Sequence, residues 1–261
     1  MTRVEWHCHE CFHGMPPEAT AGGIAVVIDV LRASTTIITA LSHGARAVKT
    51  VCTPEEARRL AAAAGEAACL LGGERGGLRI EGFDLGNSPR EYSRERIGGR
   101  RIVTTTTNGT LAVDACSDAA AILIGALLNR RAVAAEAVAR AVAGGGASRR
   151  IHLVCAGTDG LVSEEDILGA GAILDAAGPL HSLDAAAGRA LEAFRDVIGD
   201  APPGDAGEGV FTALERAMMA SRGGKNLLAI GMGTDLASAA QIDSLSVVPV
   251  LDVGSGWFTA G

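Results

Sequence analysis

Eight short apolar runs, alternating with longer stretches of helical pattern, decide what this chain can fold into. The runs fall at residues 4–8, 24–28, 47–51, 68–71, 101–104, 120–124, 151–155 and 247–251. Each is rich in Val, Ile, Leu or Ala and is closed by glycine or a polar turn, as buried strands are. Glycine, 35 of 261 residues, is about twice its usual share of roughly 7%. Much of it sits just after these runs, where a strand must end in a tight loop. Between them, Thr53-Pro54-Glu55-Glu56 reads as an N-cap, a first-turn proline and a capping-box glutamate. Ser163-Glu164-Glu165-Asp166 reads the same way ahead of 167–177, and 129–143, 183–197 and 207–221 are further helical stretches. Strand and helix in alternation give an α/β three-layer sandwich of about eight strands. No internal repeat is present, and Gly/Pro-rich 199–209 reads as a surface loop within a single domain.

Composition excludes several classes. An apolar share of 48% rules out intrinsic disorder. No apolar run reaches the roughly 18 residues of a membrane span, and MTRVEWHCHECF has no signal-peptide hydrophobic region. The expectation is a soluble, cytoplasmic protein. A net charge of −7 argues against a general nucleic-acid or anionic-membrane binder, which needs a basic face. Six scattered cysteines do not form a disulfide framework in a chain this long. Lys occurs only at 49 and 225, so an arginine counts as evidence only beside other site chemistry.

Four segments carry such chemistry. In Asp29-Val30-Leu31-Arg32-Ala33-Ser34-Thr35-Thr36 an apolar strand ends in a carboxylate, followed by an arginine and three hydroxyls at a helix start. A helix N-terminus offers free N–H groups to an anion, and arginine can grip phosphate with two hydrogen bonds. The competing reading is an N-capped helix with Asp29 paired to Arg32. The glycine-rich segment 72–77 carries Glu74 and Arg75, and 82–89 adds Asp84, Asn87 and Ser88. Together they read as a long loop, and loops beyond roughly 12 residues tend to be functional. Thr105, Thr106, Thr107, Asn108 and Gly109 make a neutral anion cradle, or else a strand end and an Asn-Gly turn. Cys155-Ala156-Gly157-Thr158-Asp159-Gly160 leads to Glu165 and Asp166, which either stabilise the helix start or offer oxygen ligands to Mg²⁺. In a largely parallel sheet the loops after the strand ends share one edge, where ligands bind. Acids, arginines and hydroxyls gathered there suit phosphoryl transfer. A Walker lysine motif is missing, since Gly224-Lys225-Asn226 has neither its spacing nor its Ser/Thr.

The segments DVLRASTT, GGERGG with GFDLGNSP, TTTNGT, and CAGTDG with SEEDILGAGAI closely resemble the 2-phosphosulfolactate phosphatase family of coenzyme M biosynthesis, and GKNLLAIGMGTDLASAAQIDSLSVVPV is similar to that family's closing segment. The resemblance spans roughly residues 24–250. It implies an α/β/α fold with a mixed sheet and a Mg²⁺-dependent hydrolase releasing phosphate from (2R)-2-phospho-3-sulfolactate. By matching position, Asp29, Arg32 and Glu74 are the expected catalytic residues. Ser34, Thr35, Thr36, Arg75, Asn87, Ser88, Thr105, Thr106, Thr107, Asn108 and Gly109 are expected on the substrate, and Asp29, Asp84, Glu165 and Asp166 on the metal. Asp29 attacks directly or an acid activates water; the sequence leaves both open. A phosphatase of another small phosphorylated hydroxy acid, and a non-catalytic binder of phosphate esters, are the competing readings.

Two features fall outside the resemblance. His7-Cys8-His9-Glu10-Cys11-Phe12-His13 invites a zinc reading, although strand alternation places Cys8 and Cys11 on opposite faces. His7, His9, Cys11 and His13 would then share a face. The plainer reading is an edge strand and loop. Cys155 reads as a small buried hydrophobe rather than a thiolate, and Trp257-Phe258 at the tail as packing on a neighbouring subunit of a homo-oligomer.

Overall fold

A computed structural model describes residues 4–64, 69–144, 149–178, 182–199 and 207–261. All eight apolar runs form strands: β1 (Glu5–His9), β2 (Ile24–Ile28), β3 (Ala47–Thr50), β4 (Cys69–Arg75), β6 (Arg101–Thr105), β7 (Ala121–Gly125), β8 (Arg150–Cys155) and β10 (Pro249–Asp252). Among the described residues the sheet holds eleven strands rather than eight, because β5 (Leu78–Arg79), β9 (Ser182–Leu183) and β11 (Trp257–Ala260) join it. Two of these are only two residues long, too short to show any periodicity. Phe258 of β11 is buried in the core beside Val48, so the expected packing on a neighbouring subunit is corrected for that residue. Residues 200–206 of the expected surface loop lie outside the described residues.

Helices cover both faces. On one side lie α5 (Arg130–Gly144), α6 (Glu164–Ala177), α7 (Ala185–Ile198) and α8 (Glu208–Ala220); on the other, α1 (Ala33–Ser42) and α4 (Gly109–Asp114). Alternation along β2 explains this sandwich: Ile24, Val26 and Ile28 enter one core, Ala25 and Val27 the other. A strand buried on both faces must be apolar throughout, as β2 is. Helix α2 (Pro54–Ala64) begins as its sequence predicts, with the Glu56 N–H bonded to Thr53 Oγ1 at 3.2 Å. Ser163 differs: it makes no side-chain cap, and its hydroxyl turns to Glu165 Oε1 at 2.9 Å.

The strand order is β5-β4-β6-β3-β11-β10-β7-β2-β8-β1-β9. The β10–β11 hairpin pairs antiparallel with β7 on one side and β3 on the other. Three antiparallel steps in succession make β3, β6 and β4 run opposite to β7, β2, β8 and β1. The expectation of one shared edge is therefore corrected: the sheet has two parallel halves with opposed directions. Right-handed twist of some 20–25° per strand pair turns so wide a sheet through more than a right angle. The loops after β2 and β8 nevertheless meet those after β4 and β6, since Asp29, Thr158, Glu74 and Thr107 line one cleft.

Candidate active site

Strand β2 delivers Asp29 to the end of a fully buried run. Asp29 Oδ1 accepts the Ala33 N–H at 3.1 Å, its carbonyl accepts the Ser34 N–H, and its own N–H donates to Ser34 Oγ at 2.9 Å. Three hydroxyls expected on substrate are used here instead. Ser34 donates to Val27 O, Thr35 to Val30 O at 2.8 Å and Thr36 to Asn87 O at 2.8 Å. They brace the strand-to-helix turn and are buried away from the cleft. Gly109 packs against the carboxylate: a Cβ there would lie 2.5 Å from Asp29 Oδ2, so this close approach requires glycine.

Glu74 ties two loops together. Its Oε1 accepts the N–H and Oγ1–H of Thr107 at 2.7 and 2.9 Å, and Oε2 accepts the Gly77 N–H at 2.7 Å. The stretch read as a loop is in fact the end of β4, so Glu74 and its neighbour Arg75 face opposite sides. Arg75 is exposed, donates to Thr105 Oγ1 at 3.0 Å and to Cys52 O, and lies outside the cleft. Thr106 is also withdrawn, its Oγ1 accepting the Thr110 N–H at 3.2 Å. Asp84 is exposed and accepts the N–H of Leu71, a β4 residue, at 2.8 Å. Arg75, Thr105, Thr106 and Asp84, expected on substrate or metal, are not among the residues that line the cleft.

The remaining acids converge from β8 and α6. Asp166 accepts N–H groups of Val30 at 2.8 Å and Gly157 at 2.9 Å, clamping the loops after β2 and β8. Glu165 Oε2 is buried with no hydrogen-bond partner among the described residues, and Gly223 presses so close that a Cβ there would sit 1.9 Å from Oε1. Burial, followed by the charges of Glu74 and Glu165, pushes the Asp29 carboxyl up to about 7, against the Ala33 N–H and Arg32. Burial also holds Asp166 well above the ordinary carboxylate range, with Asp29 and Glu165 adding to it.

A cleft of 310 Å³ opens over Asp29. Arg32, Glu74, Asn87, Thr107 and Asn108 line one side, and Thr158, Asp159, Asn226, Leu227 and Ile230 the other. Arg32 is buried at its floor, with Nη1 on Asp235 Oδ2 at 2.8 Å and Nη2 on Gly77 O at 2.6 Å. Ser88, expected on substrate, donates instead to Asp235 Oδ1 at 2.6 Å. Asp235, Asn226, Thr158 and Asp159 were not among the expected site residues. Their signal lay in GMGTDL, GKN and CAGTDG, each visible as a motif but silent about which side chain turns inward.

Among the described residues no three His, Cys, Asp or Glu side chains are grouped to hold a metal ion. Two carboxylates nevertheless fit one in chemistry. Asp29 Oδ2 and Glu165 Oε2 make no hydrogen bond among the described residues, and hard oxygen donors are what Mg²⁺ takes.

A family model for 2-phosphosulpholactate phosphatase matches residues 12–254. The chain belongs to that family. It is 40% identical over 242 residues to a probable 2-phosphosulfolactate phosphatase of Symbiobacterium thermophilum, covering 92% of this chain and 95% of that one. It is 40% identical to a protein of the same description from Deinococcus radiodurans, with 91% of each chain covered. A third, from Synechococcus sp. RCC307, is 39% identical over 251 residues, 92% of this chain and 95% of its own. Asp29, Arg32, Glu74, Glu165, Asp166 and Asp235 all fall within the span matched to the family model; β1 precedes it.

The histidines of β1 form a separate stack. His7 pairs in register with His152 of β8, their rings 5.1 Å apart, and His9 Nε2 meets His152 Nδ1 at 3.1 Å. Cys11 and His13 lie beyond the strand, so the four-residue face does not form. Cys155 is buried, and a hydrogen bond with Cys8 and then burial hold its thiol well above its usual range, which leaves no thiolate. Burial pushes His152 down from 6.5 to about 4, with His9 and His7 adding to it. Because the unfolded chain takes up this proton first, stability present above pH 6.5 is lost as pH falls towards 4. Melting temperatures across that window should fall more steeply for the wild type than for His152→Asn. Parallel curves would show that the stack does not control acid stability.

Proposed function

We propose that this chain hydrolyses (2R)-2-phospho-3-sulfolactate to 3-sulfolactate and inorganic phosphate in the cytoplasm, with Mg²⁺. Family membership supports the reaction class, and among the described residues no helix is long and apolar enough to cross a membrane. The observation that carries the reading is Asp29: a buried carboxyl lining the cleft, pushed up to about 7, with one oxygen that has no hydrogen bond among the described residues. A catalytic acid–base group works best near the operating pH. Asp29 therefore takes one proton of the attacking water as the water oxygen bonds to phosphorus. The P–O bond to the lactate carbon skeleton breaks with its electron pair on the departing oxygen, which takes a proton from solvent to leave as the hydroxyl, and Asp29 returns its proton to solvent.

The other cleft residues bind and orient. Arg32 spends two N–H groups on Asp235 and Gly77, and guanidinium has five; the rest serve phosphoryl oxygens. Thr107, Asn108, Asn87 and Asn226 supply neutral polar groups for the carboxylate and sulfonate. Asp29, Glu74 and Asp159 outnumber Arg32 in the lining, so an anion enters this cleft only with added positive charge. Glu165 would hold Mg²⁺, which supplies that charge and stabilises the phosphoryl oxygens when bound, and Asp29 Oδ2 is left for the water proton.

Phosphate release should be measured from 2-phospho-3-sulfolactate, phospholactate and phosphoglycerate, with Mg²⁺ and with chelator. The expected result is the highest kcat/KM on phosphosulfolactate, lost on chelation and restored by Mg²⁺. Equal turnover of all three would mean a phosphatase of broader hydroxy-acid specificity. Binding of the esters without release would overturn the catalytic reading.

A further inference from the structure

We propose that Asp235 is a positioning residue of the reaction, fixing the Arg32 guanidinium on the cleft floor so that its free N–H groups face the phosphoryl group. The proposal rests on the phosphatase reading above. Asp235 comes from α10 (Thr234–Ala239), near the end of the chain, and is 203 residues from its partner. Both carboxylate oxygens are spoken for: Oδ2 accepts Arg32 Nη1 at 2.8 Å, and Oδ1 accepts the Ser88 hydroxyl at 2.6 Å. Arg32 and Asp235 are 3% and 1% exposed, so the pair is held out of water on both sides.

Stability alone does not account for such a pair. Desolvating two charges offsets most of their attraction, and an apolar pair of similar volume often serves the fold as well or better. What the pair does provide is direction. Without Asp235, the strongest partners near a cationic guanidinium in this cleft would be Asp29 and Glu74, both of which line it. Asp235 supplies a carboxylate behind the floor, and Gly77 O at 2.6 Å fixes the second Nη. The guanidinium is pinned at two points and cannot fold onto Asp29. Ser88 performs the same service one step back, because its hydrogen bond fixes the rotamer of Asp235. Ser88 itself follows Asn87, whose carbonyl is held by Thr36 of α1. Three segments distant in sequence thus converge on one arginine.

The test is a double-mutant cycle on Asp235→Asn and Arg32→Ala, with two readouts: steady-state phosphate release from 2-phospho-3-sulfolactate with Mg²⁺, and calorimetric binding of inorganic phosphate with Mg²⁺. Misplacing a reacting group by about 1 Å can lower the rate some 10²-fold. Asp235→Asn is therefore expected to lower kcat by roughly 10- to 100-fold with KM nearly unchanged. Arg32→Ala should lose more, and the double variant should match Arg32→Ala alone. Losses that multiply in the double variant, or a normal kcat in Asp235→Asn, would overturn the proposal. If Asp235→Asn does not fold, Ser88→Ala replaces it in the cycle, with a smaller loss expected that again vanishes in the Arg32→Ala background. Wild-type protein that binds phosphate but releases none from the ester refutes the substrate reading; the phosphate affinities then decide the positioning role on their own. Wild-type protein that does neither overturns both.

Discussion

Asp29→Asn is expected to lower phosphate release by about 10³-fold while leaving the fold intact or more stable. The amide keeps the oxygen that accepts the Ala33 N–H, so the turn into α1 survives. What it loses is the group that takes up a proton. It also loses the charge that Glu74 and Glu165 repel. Because the folded-state carboxyl titrates near 7 against 3.8 ordinarily, its ionisation weakens the native state as pH rises from 3.8 through 7. In metal-free buffer the variant should therefore melt progressively higher than the wild type as pH rises across this range. An inactive enzyme that is the more stable one is the signature of a residue kept for chemistry. Near-normal turnover in Asp29→Asn would sink the central assignment.

Ending the chain at Val248 should abolish cooperative folding. The lost segment contains β10 and β11, which stand between β7 and β3 and join the two opposed halves of the sheet. Without the hairpin both β3 and β7 become edges, and exposed edges with apolar faces invite aggregation. Phe258 leaves with it, taking a fully buried ring from the core around Val48 and Ile102. Phe258→Ala should cost about 3–5 kcal/mol in denaturant unfolding, and the truncation should leave protein that is insoluble or melts without a transition. A soluble truncated chain with an unchanged melting temperature would show that the halves hold together without the hairpin.

Much of the architecture was legible because its signals are local. Each apolar run declares a strand by its own residues, and Thr53 to Glu56 declares a helix start within one turn. The site was legible as segments but not as side chains. Ser34, Thr35 and Thr36 look like an anion cradle in one dimension, yet helix geometry turns them to carbonyls of Val27, Val30 and Asn87. Glu74 and Arg75 look like a pair, but consecutive strand residues cannot face the same side. Asp84 and Glu165 have the same chemistry in sequence; only burial separates an exposed backbone brace from a carboxylate with an unpartnered oxygen.

The α/β class, the eight principal strands and the carboxylate that ends β2 follow from local residues, since strand alternation, helix caps and turn glycines are fixed by neighbours a few residues apart. Tertiary structure alone decided that the terminal hairpin reverses half the sheet, and that Asp235 reaches Arg32 across 203 residues. Closing a long loop costs only slightly more than closing a short one, so nothing local marks which distant segment will pair. The choice falls to packing, where buried charges must find partners, and it placed Asp235 beneath the arginine.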